Sequence, residues 1–342
     1  MVKLNIKKLV FDAVVFAFLW CVTLVIIFRP DEDAYLLLNR NVLIFLAGAF
    51  LGALISFGFS LLKIKTAGEI LFPSTHQRDL SAAVPWYKTV WGWQIAVALT
   101  ATFVVAIVKT RFSVWEILDI DGFQGAVRLF QGVFNPNWEV LPAAVNNIIE
   151  TIFMAFLATA LAIPFAFVLS FMCARNIMKG PIALPIYWFL RTFLNITRSV
   201  EALIWAIIFS VWVGIGPFAG MLALMIHSIA SLAKQYSEMV ETVSEGPIEG
   251  IQSTGATKMQ TIWFAVVPQV ILPYISFTVY RWDINVRMAT IIGLVGGGGI
   301  GTMLIQYQGQ AMWREVGCII VVIAIVVWLM DAASAYIREA LK

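Results

Sequence analysis

Four polar residues stand close together in an otherwise apolar run: Arg281, Asp283, Asn285 and Arg287. A second pair, Arg198 and Glu201, lies in another. Charge inside an apolar span is costly, and it usually faces the interior of a bundle or a wet cavity. Arg281, Asn285, Arg287, Arg198 and Glu201 are therefore candidates for an electropositive path that would pass an anion. The structural alternative is internal pairing. Asp283 and Arg287 are four apart on one helix face, and Arg281 is placed to meet Glu201. No set of groups suits bond-making chemistry. The two histidines, His76 and His227, form no HExxH pair. The cysteines Cys21, Cys173 and Cys318 are odd in number and lie in or beside apolar runs, so neither a disulfide frame nor a metal site is expected.

The elements that carry these residues are set by composition. Hydrophobic residues are 61% of the 342 and charged ones 13%, against about 45–50% and about 25% in soluble domains. Too few polar groups remain to cover a water-facing surface. An all-α polytopic membrane protein follows, and a soluble enzyme or nucleic-acid binder is excluded. The apolar runs are continuous, which argues against an outer-membrane barrel. Scanning for about 20 apolar residues gives about eight transmembrane helices: 10–28, 42–62, 91–108, 143–172, 187–213, 218–239, 270–295 and 316–336. The first is too long for a signal-peptide core. Pro164 is a potential kink in the fourth. Gly48 and Gly52 in the second fit a helix-packing face.

Sidedness comes from Lys and Arg in the connections. With the N-terminus in the cytoplasm, inside segments carry twelve basic residues and outside segments six. The Asp31-Glu32-Asp33 run then lies outside. Both termini and residues 240–268 are expected in the cytoplasm, and 109–142 in the periplasm. Three modules follow: a three-helix extension at 1–112, a periplasmic linker at 113–142 with an amphipathic stretch (114–134), and a core at 143–342. The extension is expected to pack at the periphery.

The polar connection after the sixth span reads Val243-Ser-Glu-Gly-Pro-Ile-Glu-Gly-Ile-Gln-Ser-Thr-Gly-Ala-Thr-Lys-Met-Gln-Thr-Ile-Trp-Phe-Ala-Val-Val-Pro268. Gly246-Pro247 starts a short helix. Gly255 breaks it, and 256–264 form a second before Pro268. A helix–glycine–helix element at a membrane surface suits a partner's groove. The other glycine-rich stretch comprises Gly296, Gly297, Gly298, Gly299 and Gly301. It scans as GxGxxG, but a membrane helix precedes it rather than a strand. Thr302 stands where a phosphate-binding loop needs Lys, so no nucleotide site is expected on the chain. A flexible, close-packed bend is expected there, serving as a gate or as packing.

The connection resembles the EAA loop of ABC-importer permeases. Glu249, Gly255 and Pro268 keep that motif's spacing, while Gly250, Ile251, Ala265 and Val267 depart from its side chains. Residues 140–340 are similar to the phosphonate-type (PhnE) permease group. The similarity lies in Val213-Gly-Ile-Gly-Pro-Phe-Ala-Gly220, Thr254-Gly-Ala-Thr257, Tyr280-Arg-Trp-Asp-Ile-Asn-Val-Arg287 and Val295-Gly-Gly-Gly-Gly-Ile-Gly301. The resemblance implies a five-helix permease core preceded by three extra helices, in the inner membrane. It implies a non-enzymatic transport subunit that carries phosphonate or a related phosphorus oxyanion. Glu249, Gly255, Ala256 and Pro268 would engage a cytoplasmic ABC ATPase dimer, which holds ATP and Mg. A second permease, as homodimer or sister subunit, and a periplasmic or lipid-anchored binding protein would complete the assembly. The alternatives are a permease for another small solute such as methionine, a secondary transporter, and a membrane-embedded enzyme. The last two leave the Glu249–Gly255–Pro268 spacing unexplained.

Overall fold

The computed structural model describes residues 6–28, 39–61, 66–71 and 85–341. The expected Asp31–Asp33 connection, His76 and most of 63–84 lie outside the described residues. The chain divides into two compact units, Met1–Gly122 and Phe123–Lys342. The division falls at the start of a helix, ten residues past the boundary read from the sequence.

In the first unit, α1 (Ile6–Phe28) packs along α2 (Asn39–Leu61). The close approach needs Gly48 and Gly52. A Cβ at either would press on Ala13, Phe16, Ala17 or Trp20 of α1. Short α3 (Ala67–Leu71) and α4 (Val90–Lys109) complete the group, followed by α5 (Val114–Ile117). Asp12 organises it. Its buried carboxylate accepts from Ser56 Oγ (2.7 Å), Thr66 Oγ1 (2.6 Å) and the Gly68 N–H (2.9 Å). One acid thus caps α3 and ties it to α1 and α2. Gln94 Oε1 of α4 accepts the Ala67 N–H at 2.9 Å.

The second unit takes up α6 (Ile120–Phe134), whose Phe123, Phe130 and Phe134 are exposed. Next comes α7 (Leu141–Met172), which runs unbroken through Pro164. Thr151, Ala155, Ala158, Ala162 and Ala166 lie buried along it at three- and four-residue spacing. They admit α10 (Pro217–Glu241) through Ala219, Gly220, Ala223, Ala230 and Ala233. Small residues are what permit such contact in lipid, where no hydrophobic force drives helices together. Between them lie α8 (Ala183–Ser199) and α9 (Ala202–Val213). After α10 come α11 (Glu245–Ser253), α12 (Lys258–Thr261), α13 (Val267–Ile292), α14 (Gly299–Gly309) and α15 (Trp313–Ala340).

Five of the described helical stretches are long and apolar enough to cross a membrane. They match the expected spans at 91–108, 143–172, 218–239, 270–295 and 316–336. The expected span 187–213 is a bent pair of helices: α8 and α9 meet at 89°. Val200 and Glu201 are extended there (ψ 120° and 145°), and the two helices have separate ends. α1 and α2 overlie the first two expected spans, each 23 residues long. The second expected helix of the polar connection is corrected. It begins at Lys258, under a capping box formed by Thr257 and Gln260, and continues through a π turn (Ile262–Val266) into α13. Proline lacks an N–H and clashes with the carbonyl four residues back. The wide turn just ahead of Pro268 removes that conflict, so the helix does not stop there.

Asp12→Ala should strand two hydroxyls and an N–H. We expect a loss of about 3 kcal/mol in the first unit, with Asp12→Asn milder. Thermal unfolding of the purified chain in detergent measures this, and an unchanged midpoint would remove Asp12 as its organiser.

Candidate functional site

Arg281 and Asn285 are one helical turn apart on α13, and both are buried. Asn285 is fully enclosed, and its Nδ2 donates to Thr159 Oγ1 of α7 and to Ser228 Oγ of α10, each at 2.8 Å. Arg281 Nε donates to the same Ser228 Oγ at 3.2 Å. Its two terminal nitrogens have no hydrogen-bond partner among the described residues. Asn285 Oδ1 is likewise buried and unpaired. The result is a polar patch at mid-length of three packed helices, with donors to spare.

Arg198 and Glu201 flank the α8–α9 break. The Val200 carbonyl released there lies 3.2 Å from His227 Nδ1, next to Ser228 on α10. Glu201 is exposed and forms no direct ion pair with Arg281. Its charge nevertheless acts on Arg281 across the gap.

Arg287 faces elsewhere. It pairs with Asp283 Oδ2 at 2.6 Å, as its spacing predicts, and with Asp331 of α15 at 2.9 Å. Sequence reading grouped Arg287 with Arg281, and the structure separates them. Thr159, Ser228, His227 and Asp331 were missed as partners. Thr159 and Ser228 carry no charge to mark them. Asp331 had a signal, being an acid inside an apolar span.

The glycine stretch joins helix ends. Gly296, Gly298 and Gly299 have φ of +89°, +79° and +69°. The backbones of 297–301 are buried, close-packed as expected. A Cβ on Gly301 would strike the Thr290 carbonyl and Gly293. One on Gly220 of α10 would meet the Gly297 carbonyl and the Ile292 side chain. The Gly216 N–H donates to Gly296 O (2.9 Å), and the Ile300 N–H to Thr151 Oγ1 (2.9 Å). That second bond starts α14, a helix the sequence reading took for plain connection.

At the opposite end, α10 runs into the long connection. Gly255 turns the chain with φ +82° and nothing within 4 Å of where a Cβ would stand. Glu249 is exposed on α11, Ala256 is half-buried, and Pro268 sits in the first turn of α13. Met259, Trp263 and Phe264 are exposed beside them. The feet of the connection are joined, since Gln269 Oε1 accepts from the N–H (3.1 Å) and hydroxyl (2.8 Å) of Ser244. Above them Tyr236 of α10 stacks on Tyr274 of α13 with ring centroids 3.8 Å apart. Each hydroxyl donates to the other's backbone carbonyl, at 3.1 and 3.3 Å. Among the described residues no cluster of His, Cys, Asp or Glu could hold a metal ion.

Residues 140–342 match the family described as binding-protein-dependent transport system inner membrane component. The chain is 35% identical to the phosphite transport system permease protein PtxC of Stutzerimonas stutzeri, over 65% of its own length and 80% of that protein. It is 33% identical to the phosphate-import permease protein PhnE of Mycolicibacterium smegmatis, over 63% of itself and 40% of that longer protein. Among solved structures it resembles an inward-facing MetNI methionine ABC transporter chain. The TM-score is 0.52 and the identity 23%, covering 60% of this chain and 99% of that one. That likeness concerns the fold.

Gly301→Ala should destabilise by about 2 kcal/mol, since backbone on both sides cannot yield to the methyl group. Gly309→Ala, with open space around it, should be neutral. Thermal melts of the two variants separate them. Equal midpoints would show the glycine junction to be loosely packed.

Proposed function

The chain belongs to the binding-protein-dependent transport system inner membrane components and is a multi-pass permease of the ABC-importer type; we propose that it carries a phosphorus oxyanion of the phosphite, phosphonate or phosphate kind. The observation that carries this reading is Arg281. It is 8% exposed, it sits midway along a spanning helix, and among the described residues only its Nε is bonded. A guanidinium presents a planar fork that matches oxyanions, and it keeps its charge when desolvated. The relatives named for phosphite and phosphate transport support the same class.

In this reading Arg281, Asn285, Arg198 and Glu201 border the path, and Arg287 acts through helix packing. Ser228 and Asn285 hold the Arg281 side chain so that its fork stays open. Glu201 offsets the positive charge when no substrate is present. Cytoplasmic ATPase subunits bind the 240–268 loop, with Glu249, Gly255, Ala256 and Pro268 at the contact, and they supply the ATP and Mg. A second permease completes the path, a binding protein delivers the substrate, and the glycine junction borders the outer gate. The basic-residue count supports both termini on the cytoplasmic side. The chain itself makes and breaks no bonds.

Arg281→Gln should lower uptake of labelled phosphite or phosphate about tenfold or more, while assembly persists, because it removes a buried charge rather than stranding one. Arg287→Gln should instead weaken assembly, since Asp283 loses its cation. Normal uptake by Arg281→Gln would sink the path assignment.

Gly255→Leu should leave the bundle folded, with local strain of about 1–2 kcal/mol, and should reduce ATPase co-purification and binding-protein-stimulated hydrolysis. Full stimulation in that variant would mean that coupling runs through some other segment.

A further inference from the structure

α7 and α10 end together, at Met172 and Glu241. There the turn 173–182 leads into α8 and bounds an open cavity of about 560 Å3. Arg175, Asn176, Lys179, Gly180, Leu184 and Glu241 line it. Glu241 is committed, because it accepts from the Arg175 N–H at 2.9 Å and pairs with Arg191 at 2.7 Å. The side chains of Arg175 and Lys179 are exposed and have no partner among the described residues. Asn176 donates its Nδ2 to the Val240 carbonyl at 2.7 Å, which leaves its Oδ1 buried and unpaired. The cavity therefore offers two free cations.

Its depth and its walls narrow the ligand. Two spanning helices stop at its edge, which is the level of lipid headgroups. Leu184 and Trp188, one turn apart on α8, are both exposed and continue the cavity with an apolar face. A soluble anion would use the cations and leave the apolar face unserved. We propose that this cavity holds the headgroup of an anionic glycerophospholipid. The phosphate lies between Arg175 and Lys179, and an acyl chain runs along Leu184 and Trp188. Free phosphate shares the first of these contacts and lacks the second.

The permease, purified with its ATPase partner in mild detergent, is titrated with dioctanoyl phosphatidylglycerol and followed by native mass spectrometry. The wild type and an Arg175→Lys, Lys179→Arg variant should bind alike. An Arg175→Gln, Lys179→Gln variant should bind about tenfold more weakly or worse, and so should dioctanoyl phosphatidylcholine on the wild type. Should the double variant fail to assemble, Lys179→Gln alone is measured, with a loss of about fivefold expected. Unchanged binding in either variant overturns the proposal, as does equal binding of phosphatidylcholine. Displacement of the lipid by inorganic phosphate would reassign the site to a soluble anion. Loss of the ATPase subunit with lipid binding unchanged would reassign the surface to a protein partner.

Discussion

Asn285 gives both hydrogens of its amide away, one to α7 and one to α10. In hydrocarbon there is no water to take them back, so the three helices are held in one arrangement around that side chain. The small-residue faces of α7 and α10 exist to let the backbones come this close. Ser228, which accepts from Asn285, also receives Arg281. A scaffold contact thus doubles as the mount for a charged group. Leu at position 285 would pack there yet leave Ser228, Thr159 and Arg281 without their shared centre.

Arginine appears in three settings in this chain, and burial and partners decide its role. Arg287 lies between two carboxylates and stitches α13 to α15. Arg191 fastens the α7–α8 turn to the end of α10 through Glu241. Arg281 alone of the three has no carboxylate in direct contact. A desolvated cation left in that state is costly, and the proposed oxyanion would supply what is missing.

Much was legible in the sequence because it is local. Gly255 between two short helices, the i,i+4 pairing of Asp283 with Arg287, and the glycine seam of α2 each depend on residues within one or two turns. Several features were not legible. The 89° angle between α8 and α9 is one: Arg198, Ser199 and Glu201 make the sequence polar there, but the Val200 carbonyl's contact with His227 lies 27 positions away along the chain. α14 depends on Thr151, 149 positions away along the chain. The π turn before Pro268 answers a steric conflict that a helical wheel does not display. Thr159 and Ser228 were hidden because a hydroxyl in a membrane helix usually bonds its own preceding turn, as Thr159 does to Ala155.

Gly220, Ser228 and Tyr236 follow one another along α10 at intervals of eight residues, about 12 Å each. Opposite them, in antiparallel order, α13 presents Ile292, then Asn285 and Arg281, then Tyr274. At the first station there is no clearance for a methyl group. At the second the helices share a hydroxyl, and at the third they exchange tyrosine hydroxyls across stacked rings. Sliding one helix along the other would break all three fastenings at once. Mechanically the pair is a single beam some 24 Å between its outer rivets, by the same rise per residue. A push on the loop at its foot therefore arrives at the glycine end as rotation or translation of the whole beam.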